Sequence, residues 1–192
     1  MENNEERMQQ WCRMWSEDPM LAHELMTPGC VQWSGQTTGL DGVVGPAEQV
    51  RFVEGYRAQH VNVFTARVLA DGGDRFAYLW DVKKPDGGVV TGFDFNVLHG
   101  GKVAENWTFA ADWHDSEPDL PYAGGDDLEK VLDDWLSRRG LTVHREPVLD
   151  PVRGTIAFLW TGPAASGAEL LAVRDGEVAR SWSLTGTRPF RY

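Results

Sequence analysis

Residues 92–107 read Gly92-Phe93-Asp94-Phe95-Asn96-Val97-Leu98-His99-Gly100-Gly101-Lys102-Val103-Ala104-Glu105-Asn106-Trp107, which predicts two antiparallel strands joined by a turn at 99–101. Because side chains alternate between the two faces of a strand, Asp94 and Asn96 share one face, and Phe93 and Phe95 share the other. Asp94 therefore lies in mid-strand between aromatic residues. Burying an ionised carboxylate there is costly unless it is paired or hydrated, so Asp94 is the first candidate for chemistry.

The composition indicates a soluble globular protein. The chain has 192 residues, of which 42% are hydrophobic and nine are Trp, enough for a packed core in one large or two small domains. Its net charge of -11 is spread along the sequence, whereas phosphate binding needs clustered Lys and Arg, so no nucleic-acid partner is expected. No apolar run approaches the roughly 20 residues that span a bilayer, and the acidic N-terminus has no signal-peptide pattern. We therefore expect no membrane partner and a cytoplasmic location, with Cys12 and Cys30 as free thiols.

Hydrophobic periodicity and turn residues predict the elements before this hairpin. Met8, Trp11, Cys12 and Trp15 recur at helical spacing, so the first helix is expected to lie on the sheet. Thr27-Pro28-Gly29 is expected to end the second helix, and the Gly-rich loop over 35–45 is expected to form the rim of a cavity. In chain order, the pattern predicts helices over about 5–16, 19–26 and 45–59 and strands over 30–34, 61–70 and 75–83.

The hairpin resembles a known family. Gly92-Phe93-Asp94-Phe95 running into Gly101-Lys102-Val103-Ala104-Glu105-Asn106-Trp107 is similar to the late hairpin of the SnoaL-like branch of the NTF2-like superfamily, over roughly residues 5–114. These proteins are α+β cones, with three N-terminal helices packed on a curved, mostly antiparallel sheet around an apolar ligand cavity. Ketosteroid isomerase has the same cone, with an Asp at the position that Asp94 matches. The resemblance therefore implies a ligand-binding domain over residues 1–114.

The C-terminal third repeats part of this pattern. Residues 46–80 match residues 126–160, including Trp80 with Trp160, and residues 92–107 match residues 167–182. Nothing there corresponds to residues 1–45, so the sequence predicts a linker over 115–125 and a truncated repeat over 126–192. A sheet that is apolar on both faces must be covered on both. We expect the repeat to pack as an internal pseudo-dimer partner, sheet against sheet, in a monomer or weak homodimer.

Asp94 is the first of several candidate site residues. If Asp94 faces the cavity, Asn96 does too, and the family register adds Asn106. Asp81 is a second candidate base, although the sequence leaves open which face of its strand is inward, and His60 ends a helix near the expected mouth. Each also has an ordinary structural explanation, such as a solvated strand end for Asp81 or a favourable helix dipole for His60. Further ligand contacts are expected from aromatic residues that equally suit a core or a wall: Trp33, Tyr56, Tyr78 and Trp80.

The resemblance implies an enzyme that acts on a hydrophobic small molecule. Asp94 would serve as acid, base or oxyanion donor in an isomerisation, cyclisation, dehydration or epoxide opening, in secondary metabolism. The sequence has no GxSxG, HExxH, GxxxxGK[ST] or GxGxxG motif and its His residues are scattered, so neither a metal nor a cofactor is expected. It also lacks the His/Asp or Asp/Arg/Asp set of several relatives. Two alternatives remain, namely a binding protein without turnover and a protein-interaction module that uses the outer sheet faces.

Overall fold

The computed structural model describes residues 3–116 and 127–190 and has an α+β architecture. Four α-helices are observed there, with a 3₁₀ turn at Pro19–Leu21: α1 Asn4–Ser16, α2 Ala22–Leu25, α3 Gly45–Gln59 and α4 Leu128–Arg139. The strands form two five-stranded sheets: β1 Met26–Ser34, β2 Val63–Asp71, β3 Arg75–Lys83, β4 Val89–His99, β5 Lys102–Ala110, β6 Thr142–Val143, β7 Val148–Asp150, β8 Thr155–Thr161, β9 Ser166–Arg174 and β10 Glu177–Gly186. None of the helices in the described ranges is long and apolar enough to cross a membrane.

Helix α1 lies on the first sheet as its periodicity predicts. Asn3 caps its N-terminus by accepting a hydrogen bond from the Glu6 backbone N–H at 2.8 Å. Its apolar face buries Met8, Trp11 and Cys12 in a core shared with β2 and β3. The helix is therefore amphipathic and forms one wall of the space above the sheet.

Helix α2 ends at Leu25, close to the predicted end of the second helix. The segment Thr27-Pro28-Gly29 is not a turn, however, because it belongs to β1, which begins at Met26 and not at the predicted residue 30. Strand β1 is the edge of the first sheet, and its pairing with β5 shifts register between Met26 and Val31. Pro28 is tolerated because an edge strand with an irregularity does not require every backbone N–H for the ladder.

The first sheet has the strand order β1-β5-β4-β3-β2, in which β1 runs parallel to β5 and the other pairs are antiparallel. The predicted hairpin is confirmed as β4 and β5, with Gly100 and Gly101 at φ of 58° and 79° in its turn. The register of this pair shifts after Val97, so that Val103 lies opposite Leu98. Val103 therefore joins the core beneath α1, whereas Trp107 lies in the core between the sheets, because the bulge moves Val103 to the other side.

The second sheet packs face to face with the first. Strands β8, β9 and β10 form antiparallel pairs, and α4 covers the far side with Val131 and Leu132 against Phe158. The two facing sheets share one apolar core, to which the first sheet contributes Trp33, Leu79, Phe93, Phe95, Trp107 and Phe109 and the second contributes Leu159, Leu170, Trp182 and Leu184. The outer face of the first sheet is thus covered within the chain.

Ion pairs join the two sheets beside this core. The Asp115 carboxylate lies 2.8 Å from the Arg67 guanidinium of β2 and 2.5 Å from that of Arg180 of β10. All three side chains are at most 15% exposed, so each charge is largely removed from water and balanced by its partners. The predicted linker begins at Asp115, and its residues 117–125 lie outside the described part of the chain.

Candidate functional site

A cavity of about 350 Å³ lies between the inner face of the first sheet, α1 and α3. One side is formed by the loop between β1 and α3, as its Gly-rich sequence predicts. Most of the wall is apolar and aromatic. The lining residues are Trp11, Cys12, Trp15, Ser34, Gln36, Thr37, Gly39, Leu40, Phe52, Tyr56, Phe64, Tyr78, Trp80, Asp94, Asn106, Thr108 and Ala110.

Asp94 of β4 lies in this wall, on the opposite face of the strand from Phe93 and Phe95, so the condition that Asp94 faces the cavity is met. Its side chain is buried, with only 4% of the residue exposed. Oδ1 accepts a hydrogen bond from Trp80 Nε1 at 3.0 Å, and Oδ2 accepts one from the Tyr78 hydroxyl at 3.0 Å. Among the described residues that line the cavity there is no Lys, Arg or His. The carboxyl group therefore has hydrogen-bond donors but no positively charged neighbour in the wall.

The electrostatics of Asp94 are set by two opposing effects. Burial raises the pKa of its carboxyl group, because the charged form loses water, while hydrogen bonds from Thr108, Trp80, Tyr78 and Asn106 oppose that rise. Burial and the adjacent Asp94 also raise the pKa of Tyr78, so the phenol keeps its proton and remains a donor. A carboxyl group with a raised pKa is better placed to exchange a proton near neutral pH than a surface carboxylate.

The two asparagines form one cross-strand pair, in which only Asn106 lines the cavity. Asn106 Nδ2 donates to Asn96 Oδ1 at 3.0 Å, and the two residues lie directly opposite each other on β5 and β4. Asn96 is fully buried behind this contact. Asn106 is thus positioned to meet a ligand, whereas Asn96 fixes the orientation of the Asn106 amide.

Three of the predicted aromatic contacts, Tyr56, Tyr78 and Trp80, line the cavity. Four aromatic residues of the wall were not predicted as ligand contacts: Trp11, Trp15, Phe52 and Phe64. The helical spacing of Trp11 and Trp15 already places them over the sheet. It does not reveal that a gap remains between them and the strands, because that depends on how closely α1 and α3 approach the sheet.

Asp81, His60 and Trp33 are not brought to the cavity. Asp81 lies on the opposite face of β3 from Tyr78 and Trp80, where it pairs with Arg67 at 3.2 Å. His60 is exposed at the end of α3, with its ring centroid 4.9 Å from that of Tyr56. Trp33 belongs to the core between the sheets and packs on Trp107. The prediction that Asp81 is a general base in the cavity is therefore wrong, because side chains alternate along β3 and Asp81 lies on the face away from the cavity.

Cys12 contributes a thiol to the cavity wall. Burial, followed by the nearby Asp94, raises the pKa of this thiol, so it stays protonated. Cys12 and Cys30 are both free and buried. Within the described ranges no group of three or more His, Cys, Asp or Glu residues has the arrangement of a metal site. The chemistry that the wall can supply is thus centred on the Asp94 carboxyl group.

No family model matches the sequence, and no curated protein does. Solved structures do resemble the fold. A candidate polyketide cyclase from Acidithiobacillus ferrooxidans is 18% identical over 56% of this chain and 87% of its own, with a TM-score of 0.50. IdmH, a candidate polyketide cyclase from Streptomyces antibioticus, is 14% identical over 58% of this chain and 94% of its own, with a TM-score of 0.49. An NTF2-like protein of unknown function from Mesorhizobium loti is 20% identical over 56% of this chain and 89% of its own, with a TM-score of 0.47. The first similarity shows a shared fold over this part of the chain.

Proposed function

We propose that this NTF2-like cone is an enzyme that moves a proton on a hydrophobic small molecule, with Asp94 as the acid or base. The observation that carries the proposal is a buried carboxyl group in the wall of a mostly apolar and aromatic cavity. Burial raises the pKa of this group, as acid-base chemistry near neutral pH requires. General acid-base assistance of this kind typically contributes about 10² to 10⁴ in rate.

The neighbours of Asp94 have distinct roles in this proposal. Trp80 and Tyr78 each hold one carboxyl oxygen and so fix the plane of the group relative to the ligand. Asn106 and Thr108 are the polar groups of β5 beside it; their donors serve Asp94 and Asn96, and their oxygens are available to accept a hydrogen bond from a hydroxyl group of the ligand. Because the described lining holds one carboxyl group and no cationic side chain, a ligand with a carboxylate or phosphate would meet an uncompensated negative charge.

We infer a substrate of modest size that lacks anionic groups. The cavity volume of about 350 Å³ is near the lower end of the roughly 300 to 1,000 Å³ typical of small-molecule sites. Isomerisation, cyclisation, dehydration and epoxide opening all suit a single carboxyl group in such a site. The candidate polyketide cyclase that shares the fold supports a place among small-molecule enzymes of secondary metabolism.

A binding protein without turnover is the second candidate. It is favoured by the fact that both Asp94 oxygens already accept hydrogen bonds from the protein, so the group is satisfied without a ligand. In that case Asp94 would only orient the bound molecule.

Asp94→Asn separates the two candidates because it keeps the shape of the side chain and removes its acid-base function. A ligand is first sought by native mass spectrometry of protein purified from its own host. Loss of turnover with retained affinity for that ligand supports the enzyme. Altered affinity, with no turnover in either protein, supports the binding protein. Asp81→Asn is the matched control, because Asp81 lies on the opposite face of the neighbouring strand and its replacement is expected to leave ligand affinity and turnover unchanged.

We also propose that residues 126–192 are a truncated copy of residues 1–114, joined by the linker over 115–125. Two matching contacts support this. Trp80 lies over Gly92, where a Cβ atom would be 2.1 Å from its ring, and Trp160 lies over Gly167, where a Cβ atom would be 2.5 Å from its ring. An acid follows two residues after each glycine, Asp94 and Glu169, and both are buried.

The shared core between the sheets supports a further proposal, that the second unit acts as a built-in partner and the protein is a monomer. The free thiols of Cys12 and Cys30 support a reducing, cytoplasmic compartment. The outer faces that a protein-interaction module would use are packed against each other. The molar mass in solution, measured by light scattering, tests the assembly. The mass of one 21.5 kDa chain is expected.

A further inference from the structure

The loop of residues 35–44 forms one side of the cavity, and we call it the rim loop. It joins β1 to α3 and contributes Gln36, Thr37, Gly39 and Leu40 to the lining. Its backbone makes few hydrogen bonds of its own, such as Asp41 N–H to Thr38 O at 3.1 Å and Val43 N–H to Leu40 O at 3.0 Å. Such a loop needs outside contacts to keep one conformation.

Arg188, which lies beyond β10 in the C-terminal unit, supplies the main contacts to the rim loop. Its Nη1 donates to Ser34 O at 2.9 Å and also to Thr37 O. Its Nη2 donates to the Asp41 carboxylate at 2.6 Å. Both charged side chains are largely buried, with 18% and 16% exposed. One guanidinium therefore joins Ser34, at the end of β1, to Thr37 and Asp41 of the rim loop. A planar group with several donors can make these contacts together better than an ammonium group can.

Backbone contacts hold the start of the rim loop against the same C-terminal segment. Thr187 N–H donates to Gly35 O at 2.8 Å, and Gln36 Nε2 donates to Thr185 O at 3.2 Å. Gly35 and Gly186 approach so closely that a Cβ atom on Gly35 would lie 3.3 Å from Gly186 Cα. The approach is possible because neither residue has a side chain. Gln36 also lines the cavity, so this junction extends directly to the ligand space.

We propose that the C-terminal unit positions the rim loop, with Arg188 as the positioning residue, and thereby sets how fast small molecules leave the cavity. Arg188 does not line the cavity and acts through Thr37 and Asp41. The proposal rests on the proposed function only in taking the cavity as a ligand site. It requires no particular reaction at Asp94. The second unit thus does more than cover the outer face of the first sheet.

The test uses the full chain and the neutral apolar dye N-phenyl-1-naphthylamine, whose fluorescence is excited by energy transfer from the Trp residues of the wall. Two quantities are measured, the dissociation rate of the dye by stopped flow and the amide hydrogen exchange of residues 36–44. For Arg188→Ala we expect both to rise by about tenfold or more, as the loss of charge-assisted hydrogen bonds implies. Arg188→Lys should raise both rates less than Arg188→Ala but not restore the wild-type values. Asp41→Asn should raise the hydrogen exchange of the rim loop as Arg188→Ala does.

Arg180→Ala is the matched control. Arg180 also forms a largely buried ion pair, at 2.5 Å to Asp115, and lies over the Trp182 ring as Arg188 lies over that of Trp33, but neither Asp115 nor Trp182 belongs to the rim loop. It should lower the unfolding temperature yet leave rim-loop exchange and dye release unchanged. The proposal is overturned if Arg188→Ala leaves rim-loop exchange unchanged, or if Arg180→Ala raises it equally. If the wild-type protein takes up no dye, the proposed function loses its cavity, while the exchange measurement still decides the role of Arg188.

Discussion

Trp80 Nε1 donates a hydrogen bond of 3.0 Å to Asp94 Oδ1 across two neighbouring strands. The bond is possible because Gly92 lies opposite Trp80 in the sheet and leaves room for the indole to cross β4. Any larger residue at position 92 would place its Cβ atom within the volume of the ring. Glycine, tryptophan and aspartate thus form one unit that orients the carboxyl group in the cavity.

Gly92→Ala is expected to disturb this unit. The new Cβ atom would lie 2.1 Å from the Trp80 ring, so the indole must move and its bond to Asp94 is broken. We expect a loss of roughly 1–3 kcal/mol in the free energy of unfolding, as for other overpacked sites, together with weaker binding of the dye. Chemical denaturation and dye titration measure the two effects.

Gly167→Ala is the matched control for that substitution. It places a Cβ atom 2.3 Å from Leu184 O and 2.5 Å from the Trp160 ring, and none of these residues lines the cavity. It should destabilise the protein at least as much, because a backbone atom yields less readily than a side chain, and leave dye binding unchanged. Equal effects of the two variants on dye binding would contradict the assignment of Trp80 and Gly92 to the site.

Trp80→Phe is expected to raise the pKa of Asp94 further. The indole N–H stabilises the charged carboxylate, and a hydrogen bond to a charged group contributes about 1.5–3 kcal/mol, equivalent to roughly one to two pKa units. The pH dependence of the carboxyl C=O stretch, measured by infrared difference spectroscopy against Asp94→Asn, reports this pKa. Trp160→Phe is the control, since Trp160 Nε1 has no hydrogen-bond partner among the described residues. An unchanged or lower Asp94 pKa in Trp80→Phe would contradict the bond.

The stability of the protein should depend on pH through Asp94. Because burial raises the pKa of this group above its usual 3.8, the folded state keeps a proton that the unfolded state has already lost. The contribution to stability is therefore complete below pH 3.8 and is lost as pH rises from there through the folded-state pKa. Each pKa unit of that window corresponds to about 1.4 kcal/mol.

Asp94→Asn measures this effect, because the amide does not titrate. The free energy of unfolding of the variant minus that of the wild type should increase with pH across the window and then become constant. For Glu169→Gln the same difference in free energy of unfolding should increase with pH from pH 4.5 upwards, since burial raises the pKa of Glu169 as well. A difference that falls with rising pH would refute the raised pKa of the group concerned.

The two sheets should unfold together, because they share one core. Leu170 of β9 is fully buried in that core, so Leu170→Ala is expected to cost about 2–5 kcal/mol. Calorimetry should show a single transition that moves to lower temperature as a whole. Two separated transitions, only one of which responds to Leu170→Ala, would mean that the units fold independently.

The alternating pattern of residues 92–107 was enough to predict the hairpin and to place Asp94 on the opposite face from Phe93 and Phe95, and the structure shows that the face of Asp94 is the one that lines the cavity. Each side chain of a strand points to one of two faces, and Phe93 and Phe95 occupy the face opposite to that of Asp94. The bulge after Val97 was not predictable in this way. It places Val103 beneath α1, and no residue type in the sequence marks the extra position.

The predictions for Asp81 and Trp33 concerned residues whose surroundings are set by distant parts of the chain. Asp81 pairs with Arg67, and Arg67 also binds Asp115. Trp33 packs on Trp107 and on Phe190 from the far end of the sequence. Residue type and local spacing suggest chemistry for such residues, but only the packing of the two sheets shows that they are interior contacts.

The sequence by itself determined the hairpin, the mid-strand acid and the apolar faces that must be covered, because these follow from periodicities of a few residues. The tertiary structure decided that a cavity remains beneath α1 and α3, that Trp80 and Tyr78 hold Asp94, and that Arg188 reaches the rim loop across 147 positions of sequence. Contacts of that range depend on how the sheets and helices pack against one another, and local spacing carries no information about that packing.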